Sequence, residues 1–463
     1  MTRRQYGLMF LGLVGVTVAI TWLWHRFKKR NTVLFGTFLF SVVLKGLYIW
    51  YTPTYARQHD FFDFTSGQGQ AAYIEWFYDH VSLPDFDPRK IWGFFQPPLH
   101  HILAAMWLRL QTLAGVSYLT ACEGIQVLTL LYSVLFSIYA LLLFRRNGLK
   151  GRGLELAFAV TALHPIFILF AGSLNNDTLV ALFLLMSIYY GVTWAEKQNY
   201  PEIIKLALSV GCGMMTKLSE ILAVPALVFL FLWVWIKGGR ERFGKLLKQY
   251  LVFGAISLPL GLAYPLRNFF RFGVPLQYTP EVGEPLLGYS LWERLFDIRT
   301  VTPFASMVKN GNAFDEYNIP LAIMKTSLTG EFPFASANGY MVPFGWILLI
   351  SASMLALVCL FATFMVSAGR TELKDGLLRG YYLTAYGTAV IFIINLCFKI
   401  PNFSSQDFRY IAHVTALESL YLGLLYQKSE KSGNRKITCG LITVLVLVFT
   451  AASSMVYMLL GLP

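Results

Sequence analysis

The sequence predicts an all-α integral membrane protein that crosses the bilayer about twelve times. Of its 463 residues, 56% are hydrophobic, and the mean hydropathy is +0.55. Charged residues make up only 14%, against about 25% in soluble proteins, so most of the surface must face lipid. The apolar residues also occur in runs of about 20, which is the length that an α-helix needs to cross the hydrocarbon core.

Twelve apolar runs are predicted to be spans. The first, residues 7–25, has no small-residue cleavage site and is followed by a basic segment, so we interpret it as an uncleaved span rather than a signal peptide. The run at 203–216 is short for a span. The complete set is 7–25, 32–52, 123–144, 154–174, 178–195, 203–216, 218–236, 250–266, 342–365, 380–398, 410–426 and 437–460.

Clusters of lysine and arginine determine the predicted orientation. They lie at 26–30, 145–152, 237–248, 370–379 and 428–436, and the positive-inside rule places all of them in the cytoplasm. This requires that a thirteenth, shorter apolar run at 98–110 lies on the membrane as a juxtamembrane helix instead of crossing it. The same clustering accounts for the net charge of +13, so we expect no nucleic-acid partner.

Two long segments, 53–122 and 267–341, are then external and hold most of the acidic residues. Functional residues concentrate on loops that a rigid scaffold carries, so we expect the site on this face. We expect residues 1–463 to form a single membrane domain, with both termini outside and no separate soluble domain. No organelle signal is visible, which favours a bacterial plasma membrane.

The first external segment begins with Arg57-Gln58-His59-Asp60-Phe61-Phe62-Asp63. A carboxylate at the membrane face is well placed to act on a lipid-borne substrate, and Asp60 could serve as a general base toward an acceptor hydroxyl. His59 could orient Asp60, share a proton or bind a cation. Acids and histidines at the end of a span can also simply mark the water interface. An aromatic helix at 71–78 follows, and then Phe95-Gln96-Pro97-Pro98-Leu99-His100-His101 opens the juxtamembrane helix.

This order of motifs resembles the GT-C glycosyltransferases, which are polytopic enzymes that take a sugar from a polyprenyl-phosphate carrier. They include protein O-mannosyltransferases and lipid A aminoarabinose transferases. The first loop here carries His59-Asp60 in place of the more usual pair of acids. Later motifs at 173–178, 264–269 and 406–410 extend the resemblance. It implies that Asp60 is the catalytic base, that transfer inverts the anomeric centre and that the site is extracytoplasmic.

The implied reaction breaks the bond between C1 of the sugar and a phosphate oxygen, so the leaving group needs positive charge. Arginine suits phosphate through its bidentate geometry. Arg409, Arg267 and Lys217 are the candidates, although Arg409 could be a snorkelling anchor and Lys217 could pair with Glu220. Other candidate substrate-binding residues are Gln96, His100, Asn176, Asp177, Asn268, Glu331, Asp407 and Tyr410.

Several of these residues also have simpler interpretations. Asn175, Asn176 and Asp177 could cap the helix that follows them. His100 could be a polar contact at the interface, and Glu331 could be an exposed acid of the loop.

The predicted partners are a polyprenyl-phosphate-linked sugar donor, membrane lipid and an acceptor hydroxyl on a protein, a glycolipid or a cell-wall polymer. No cofactor or metal motif is recognised, and a single carboxylate at His59-Asp60 makes a poor magnesium or manganese site. The main alternative is a polytopic transporter or a flippase for a lipid-linked sugar. Such proteins place charges at mid-membrane and often show repeated halves, whereas this chain has its charges at the rims of the spans and no repeat.

Overall fold

The computed structural model describes residues 31–276, 278–280, 288–299, 301–305, 309–310, 313–314, 316–332, 334, 339–373, 375–432 and 435–462. These residues form an α-helical protein, as predicted. The helices are α1 (Thr32–Tyr51), α2 (Gly69–His80), α3 (Leu99–Leu113), α4 (Tyr118–Glu123), α5 (Ile125–Arg146), α6 (Gly151–Ala162), α7 (Pro165–Gly172), α8 (Asp177–Lys197), α9 (Tyr200–Thr216), α10 (Val224–Phe272), α11 (Leu291–Phe296), α12 (Ile319–Thr329), α13 (Met341–Ser367), α14 (Gly376–Lys399), α15 (Val414–Glu430) and α16 (Arg435–Leu459).

Short elements connect these helices. Turns of 3₁₀ helix occupy Pro88–Lys90, Leu218–Ala223, Phe403–Gln406 and Phe408–Ile411. Two short antiparallel strands in the second long loop, β1 (Lys309–Asn310) and β2 (Ala313–Phe314), pair Lys309 with Phe314 and Asn310 with Ala313.

Eight of the described helices are long and apolar enough to cross a membrane, and the chain is a multi-pass membrane protein. A ninth span results if α6 and α7, which meet at an angle of 44°, are counted as one broken span. Pro165 causes this break in the predicted 154–174 span, because proline starts a new helix where His164 accepts a hydrogen bond from the Ile166 N–H. The predicted runs at 203–216 and 410–426 correspond to α9 and α15, each of 17 residues. The run at 7–25 lies outside the described residues, so the count of about twelve stays a prediction.

The predicted basic loop at 237–248 is helical instead. The helical stretch α10, from Val224 to Phe272, consists of two helices that meet at Gly239, whose backbone has a non-helical φ of 65°. Glycine tolerates this left-handed conformation at little cost. The chain therefore reverses direction within very few residues, between two candidate spans that end at Gly239 and begin at Glu241.

Two apolar cores hold the fold together. The larger core lies among the spans, and the smaller core lies under α2 and α3, where Tyr73 stacks on Phe94 with ring centroids 4.3 Å apart. Burial of a side chain such as Phe94 contributes about 1.5–3 kcal/mol. The predicted juxtamembrane run at 98–110 corresponds to the helix α3, which is not among the candidate spans. The first long loop is thus a packed unit, which fixes the position of the segment that carries Asp60.

Candidate active site

The segment that carries Asp60 has an unusual backbone. Arg57, Asp60 and Phe62 all adopt left-handed φ angles, of 54°, 53° and 53°, which non-glycine residues rarely do and which cost energy unless the surroundings impose them. The start of α2 holds the part of this segment around Asp60. The Gln70 N–H donates to the Asp60 carbonyl at 3.0 Å, and the Ala71 N–H donates to the Phe61 carbonyl at 3.2 Å. These carbonyls satisfy N–H groups that have no partner inside the helix.

Gly69 allows this close approach, and its replacement by alanine is expected to displace Asp60. Gly69 has φ +70°, and an added Cβ would lie 2.7 Å from the Asp60 carbonyl oxygen and 2.6 Å from that of Phe61. We expect Gly69→Ala to destabilise the protein by about 1–3 kcal/mol, which a thermal unfolding curve in detergent would measure. Gly67→Ala is the matched control, because Gly67 has φ +66° but nothing within 4 Å of the added Cβ. Equal losses in the two variants would show that the contact with Asp60 is unimportant.

Arg409 lies at the centre of a group of carboxylates. Its Nη2 is 3.5 Å from Asp60 Oδ2, its Nη1 is 3.6 Å from Asp177 Oδ2, and its Nε is 3.6 Å from Asp407 Oδ2. The Arg409 side chain is only 2% exposed. Within the described part of the chain, its Nε and Nη1 have no hydrogen-bond acceptor. A buried guanidinium with free N–H groups is rare unless a ligand or a water uses them.

Asp177 connects Arg409 to a second cation. Lys217 Nζ forms an ion pair with Asp177 Oδ1, and Asn175 Nδ2 donates to Asp177 Oδ2 at 2.9 Å. Lys217 therefore pairs with Asp177 and not with Glu220, whose Oε1 accepts from the Ser187 hydroxyl. Lys217 Nζ also lies 5.2 Å from the ring centre of Tyr410, a cation–π distance. The Tyr410 hydroxyl accepts from Arg409 Nη2 at 3.1 Å, so Tyr410 belongs to the same cluster.

A third group extends the cluster on the other side of Asp407. His59 Nδ1 donates to Glu331 Oε1 at 2.6 Å and lies 3.8 Å from Asp407 Oδ2. Glu331 is thus not an exposed loop acid. Burial raises its pKa, but His59 and Arg409 outweigh that effect and lower the pKa of Glu331 from its ordinary value of 4.5 to about 2. Burial raises the pKa of Asp407, and the nearby His59 and Arg409 offset only part of this increase.

The lowered pKa of Glu331 predicts an acid-sensitive contribution to stability. A carboxyl whose pKa is lowered by folding stabilises the protein above its ordinary pKa, and this stabilisation disappears as the pH falls from about 4.5 to about 2. We expect Glu331→Gln to be less stable than wild type at pH 7 by up to about 3 kcal/mol, and we expect the difference to shrink below pH 4.5. Unfolding in detergent across this pH range would measure it. His59→Gln should remove a similar increment, and a difference that does not depend on pH would contradict the pairing.

Two amide side chains position the motifs around the cluster. Asn176 Nδ2 donates to Gln96 Oε1 and, at 2.9 Å, to the Thr216 carbonyl, so it links the first loop to the end of α9. Asn176 makes no side-chain capping bond at the start of α8. Gln58, which the sequence analysis did not single out, donates to the Gly172 carbonyl at 2.7 Å and accepts from the Leu174 N–H at 2.9 Å. Only its position next to His59 could have indicated this role.

Three predicted substrate-binding residues make contacts outside this cluster. His100 is fully buried, and its Nε2 donates to the Leu174 carbonyl at 2.8 Å; burial lowers the pKa of His100 to about 4, so it is neutral. Arg267 donates to the Pro84 carbonyl and, at 3.0 Å, to Asn268 Oδ1. The predicted second long loop begins later than residue 267, because α10 continues to Phe272, so this pair ties the end of α10 to the first long loop.

A metal ion fits the cluster poorly. His59, Glu331 and Asp407 place their ligand atoms within 4.8 Å of one another and are the one described group that could hold an ion. However, the His59 Nδ1–H already donates to Glu331, and the Arg409 guanidinium, 3.6 Å from Asp407, repels a divalent cation. Asp60, which the sequence placed with His59 in a conceivable cation site, is not in the group. We therefore derive no step through a metal.

Comparison with known proteins identifies the fold. The family model for dolichyl-phosphate-mannose-protein mannosyltransferase matches residues 96–262, which include Gln96, Asn176, Asp177 and Lys217. The apo structure of the Archaeoglobus fulgidus oligosaccharyltransferase matches with a TM-score of 0.52 at 9% identity, over 94% of this chain and 56% of that one. The chain has the GT-C fold. The resemblance expected from the motifs is confirmed.

Other matches agree with this GT-C fold. The archaeal oligosaccharyltransferase AglB from Archaeoglobus fulgidus, in complex with an inhibitory peptide and a dolichol-phosphate, matches with a TM-score of 0.52 at 12% identity, over 94% of this chain and 56% of that one. The Archaeoglobus fulgidus oligosaccharyltransferase tethered to an acceptor peptide containing the NVT sequon gives 0.52 at 11% identity, over 95% and 56%. This chain thus spans about half the length of these enzymes. No curated protein sequence matches it.

Proposed function

We propose that this protein is a glycosyltransferase that moves a sugar from a polyprenyl-phosphate carrier to an acceptor hydroxyl. The reaction takes place on the extracytoplasmic face of the plasma membrane and inverts the anomeric centre. The observation that carries this proposal is the position of Arg409, a buried guanidinium that has unpartnered N–H groups and lies between Asp60 and Asp177. It is the arrangement expected of a phosphate-binding arginine next to a carboxylate base.

The cations stabilise the leaving group. As the bond from C1 to the phosphate oxygen breaks, negative charge grows on the phosphate, which needs no proton to leave. Arg409 presents a planar fork that suits two phosphate oxygens, and Lys217 adds a second positive charge on the other side of Asp177. Because the Arg409 side chain is buried, little water competes with the phosphate for its N–H groups, and the interaction is correspondingly stronger than in water.

Asp60 is the general base. Its side chain is 34% exposed, whereas those of Asp177 and Asp407 are exposed by 2% or less. Asp60 is thus the most accessible carboxylate around Arg409, and an acceptor hydroxyl can reach it. Proton removal by Asp60 makes the hydroxyl oxygen nucleophilic as it attacks C1 from the face opposite the phosphate. The hydrogen bond to Glu331 holds His59, the residue directly before Asp60, in place.

The descriptions of similar proteins support the proposed classes of donor and acceptor. The matched family is described by a dolichyl-phosphate-mannose donor and a protein acceptor, and AglB is known with a dolichol-phosphate. A lipid-phosphate donor is therefore the first to test, with mannose as its sugar and a peptide hydroxyl as its acceptor. Glycolipids and cell-wall polymers are the other acceptor classes.

A transfer assay in proteoliposomes tests the proposal. Purified protein is supplied with radiolabelled polyprenyl-phosphate sugars and crude membrane acceptors. We expect label to move from the lipid carrier to the acceptor. If the label stays on the carrier for every sugar while the labelled lipid crosses the bilayer, the protein is a flippase and the proposal is wrong.

A further inference from the structure

The short helix α11 exposes apolar side chains and buries its basic side chain, which is the opposite of a helix on a water-exposed surface. Three of its four apolar side chains face outward, among them Trp292, which is 69% exposed, and Phe296, which is 62% exposed, while Leu295 packs against the larger core. Its one basic residue, Arg294, faces inward and is only 5% exposed. The rings of Trp292 and Phe296 lie next to each other, with centroids 4.6 Å apart. Together with Leu291, which is also exposed, they form one apolar surface, which we call the α11 face.

The inward contacts of Arg294 locate α11 at the end of a membrane span. Arg294 Nη2 donates at 2.9 Å to the carbonyl of Cys397, in the last turn of α14. Its guanidinium carbon also lies 5.4 Å from the ring centre of Phe398, an exposed residue of the same turn. The α11 face is therefore about one side chain away from the lipid-facing end of α14.

The segment that follows α11 lies against a second span. Pro303 and Phe304 pack on Gly345 in the second turn of α13, so closely that a Cβ at Gly345 would come within 2.7 Å of the Phe304 ring. The described residues 291–299 and 301–304 thus lie at the ends of two neighbouring candidate spans. Its apolar surface continues the surface that those spans present to lipid.

The charges around α11 neutralise one another. Arg299 forms ion pairs with Glu293 and, at 2.6 Å, with Asp297, and Arg294 is the remaining charged residue of residues 291–299. Two acids and two bases leave this segment with no net charge. Attraction to anionic headgroups therefore cannot hold it at a membrane, whereas burial of its apolar surface can. Tryptophan is also the residue most typical of the boundary between lipid and water.

We propose that α11 is an interfacial anchor, which inserts Trp292 and Phe296 into the lipid leaflet at the ends of α13 and α14. The partner of the α11 face is the acyl region of the surrounding membrane. The anchor is directly connected to the candidate site, because Arg294 Nη2 also donates at 3.1 Å to Gln406 Oε1, and Gln406 precedes Asp407. Lipid therefore helps to fix the second long loop over the segment that carries Asp407 and Arg409. This inference does not depend on the proposed transfer activity.

Spin labels test the anchor in the full-length protein. A nitroxide label is attached at Trp292→Cys and, in a second variant, at Phe296→Cys, and each protein is reconstituted in phosphatidylcholine vesicles. Collisions with oxygen, which concentrates in lipid, are compared with collisions with a water-soluble nickel chelate. Arg299→Cys is the matched control, because the Arg299 side chain is 58% exposed in the same segment but polar. Labelled wild type corrects for the native cysteines, four of which are buried.

We expect the ratio of oxygen to nickel accessibility to be several-fold higher at 292 and 296 than at 299. Adding phosphatidylglycerol to the vesicles should leave these ratios unchanged, since the segment has no net charge. Nickel accessibility at 292 and 296 equal to that at 299 would mean that the α11 face is in water, and would overturn the proposal. Protection from both reagents, with spin–spin coupling between labels, would overturn it in favour of contact between two copies of the chain.

Discussion

Asp60→Asn is expected to lower the rate of sugar transfer by a factor of about 10²–10⁴, which is the usual contribution of a general base. Asparagine has nearly the same size and keeps a side-chain oxygen beside Arg409, but it cannot take a proton from the acceptor hydroxyl. The loss should therefore appear in the rate of the chemical step. The initial rate of label transfer in proteoliposomes, measured with saturating donor, checks this expectation.

Asp63→Asn is the matched control for this variant. Asp63 is an exposed acid three residues further along the same loop, and its carboxylate accepts a hydrogen bond from the Thr65 N–H at 3.2 Å without contacting Arg409. We expect its transfer rate to stay near that of wild type. Thermal unfolding of both variants shows whether either has lost its fold. A folded Asp60→Asn protein with full activity would remove Asp60 from the catalytic role.

Much of the helical fold could be predicted because a span must satisfy its own backbone and face lipid along its length. That requirement produces the long apolar runs in which α1, α5, α8, α13, α14 and α16 were recognised. It does not determine whether a shorter or broken helix crosses the membrane. The number of spans depends on how neighbouring helices pack in two cases. One is the pair α6 and α7, which is broken at Pro165, and the other is α9 and α15, which have only 17 residues each.

The sequence indicated candidate residues for the site, but it did not indicate which of them contact one another. Charged motifs at the ends of spans pointed to Asp60, Asp177 and Arg409, because charges are costly elsewhere in such a chain, whereas Glu331 was a candidate within the second long loop. Their pairing depends on how distant helices pack. His59 and Glu331 are 272 residues apart in sequence, and nothing local to either predicts their 2.6 Å hydrogen bond. For Lys217, the acid nearest in sequence, Glu220, is the wrong partner, because the ion pair is with Asp177.

Arg409→Lys is expected to reduce transfer by a factor of about 10²–10³, comparable to the loss of one donor that stabilises a developing oxyanion. Lysine keeps the positive charge but loses the planar fork, so it cannot bridge Asp60, Asp177 and the phosphate in the same geometry. If the fork matters mainly as charge develops on the leaving phosphate, kcat should fall while KM for the lipid donor changes little. Steady-state rates over a range of donor concentrations separate the two constants.

The same variant distinguishes a phosphate-binding arginine from a membrane anchor. An arginine that only anchors the end of a span can be replaced by lysine, because both side chains extend an apolar stem and place their charge in the headgroup region. Full activity of Arg409→Lys would therefore support the anchor and contradict the phosphate role. Arg370→Lys is the matched control, since Arg370 is exposed in one of the basic clusters and should tolerate the change. A loss confined to Arg409→Lys, in a protein that still folds, would show that transfer depends on the shape of the guanidinium and not only on its charge.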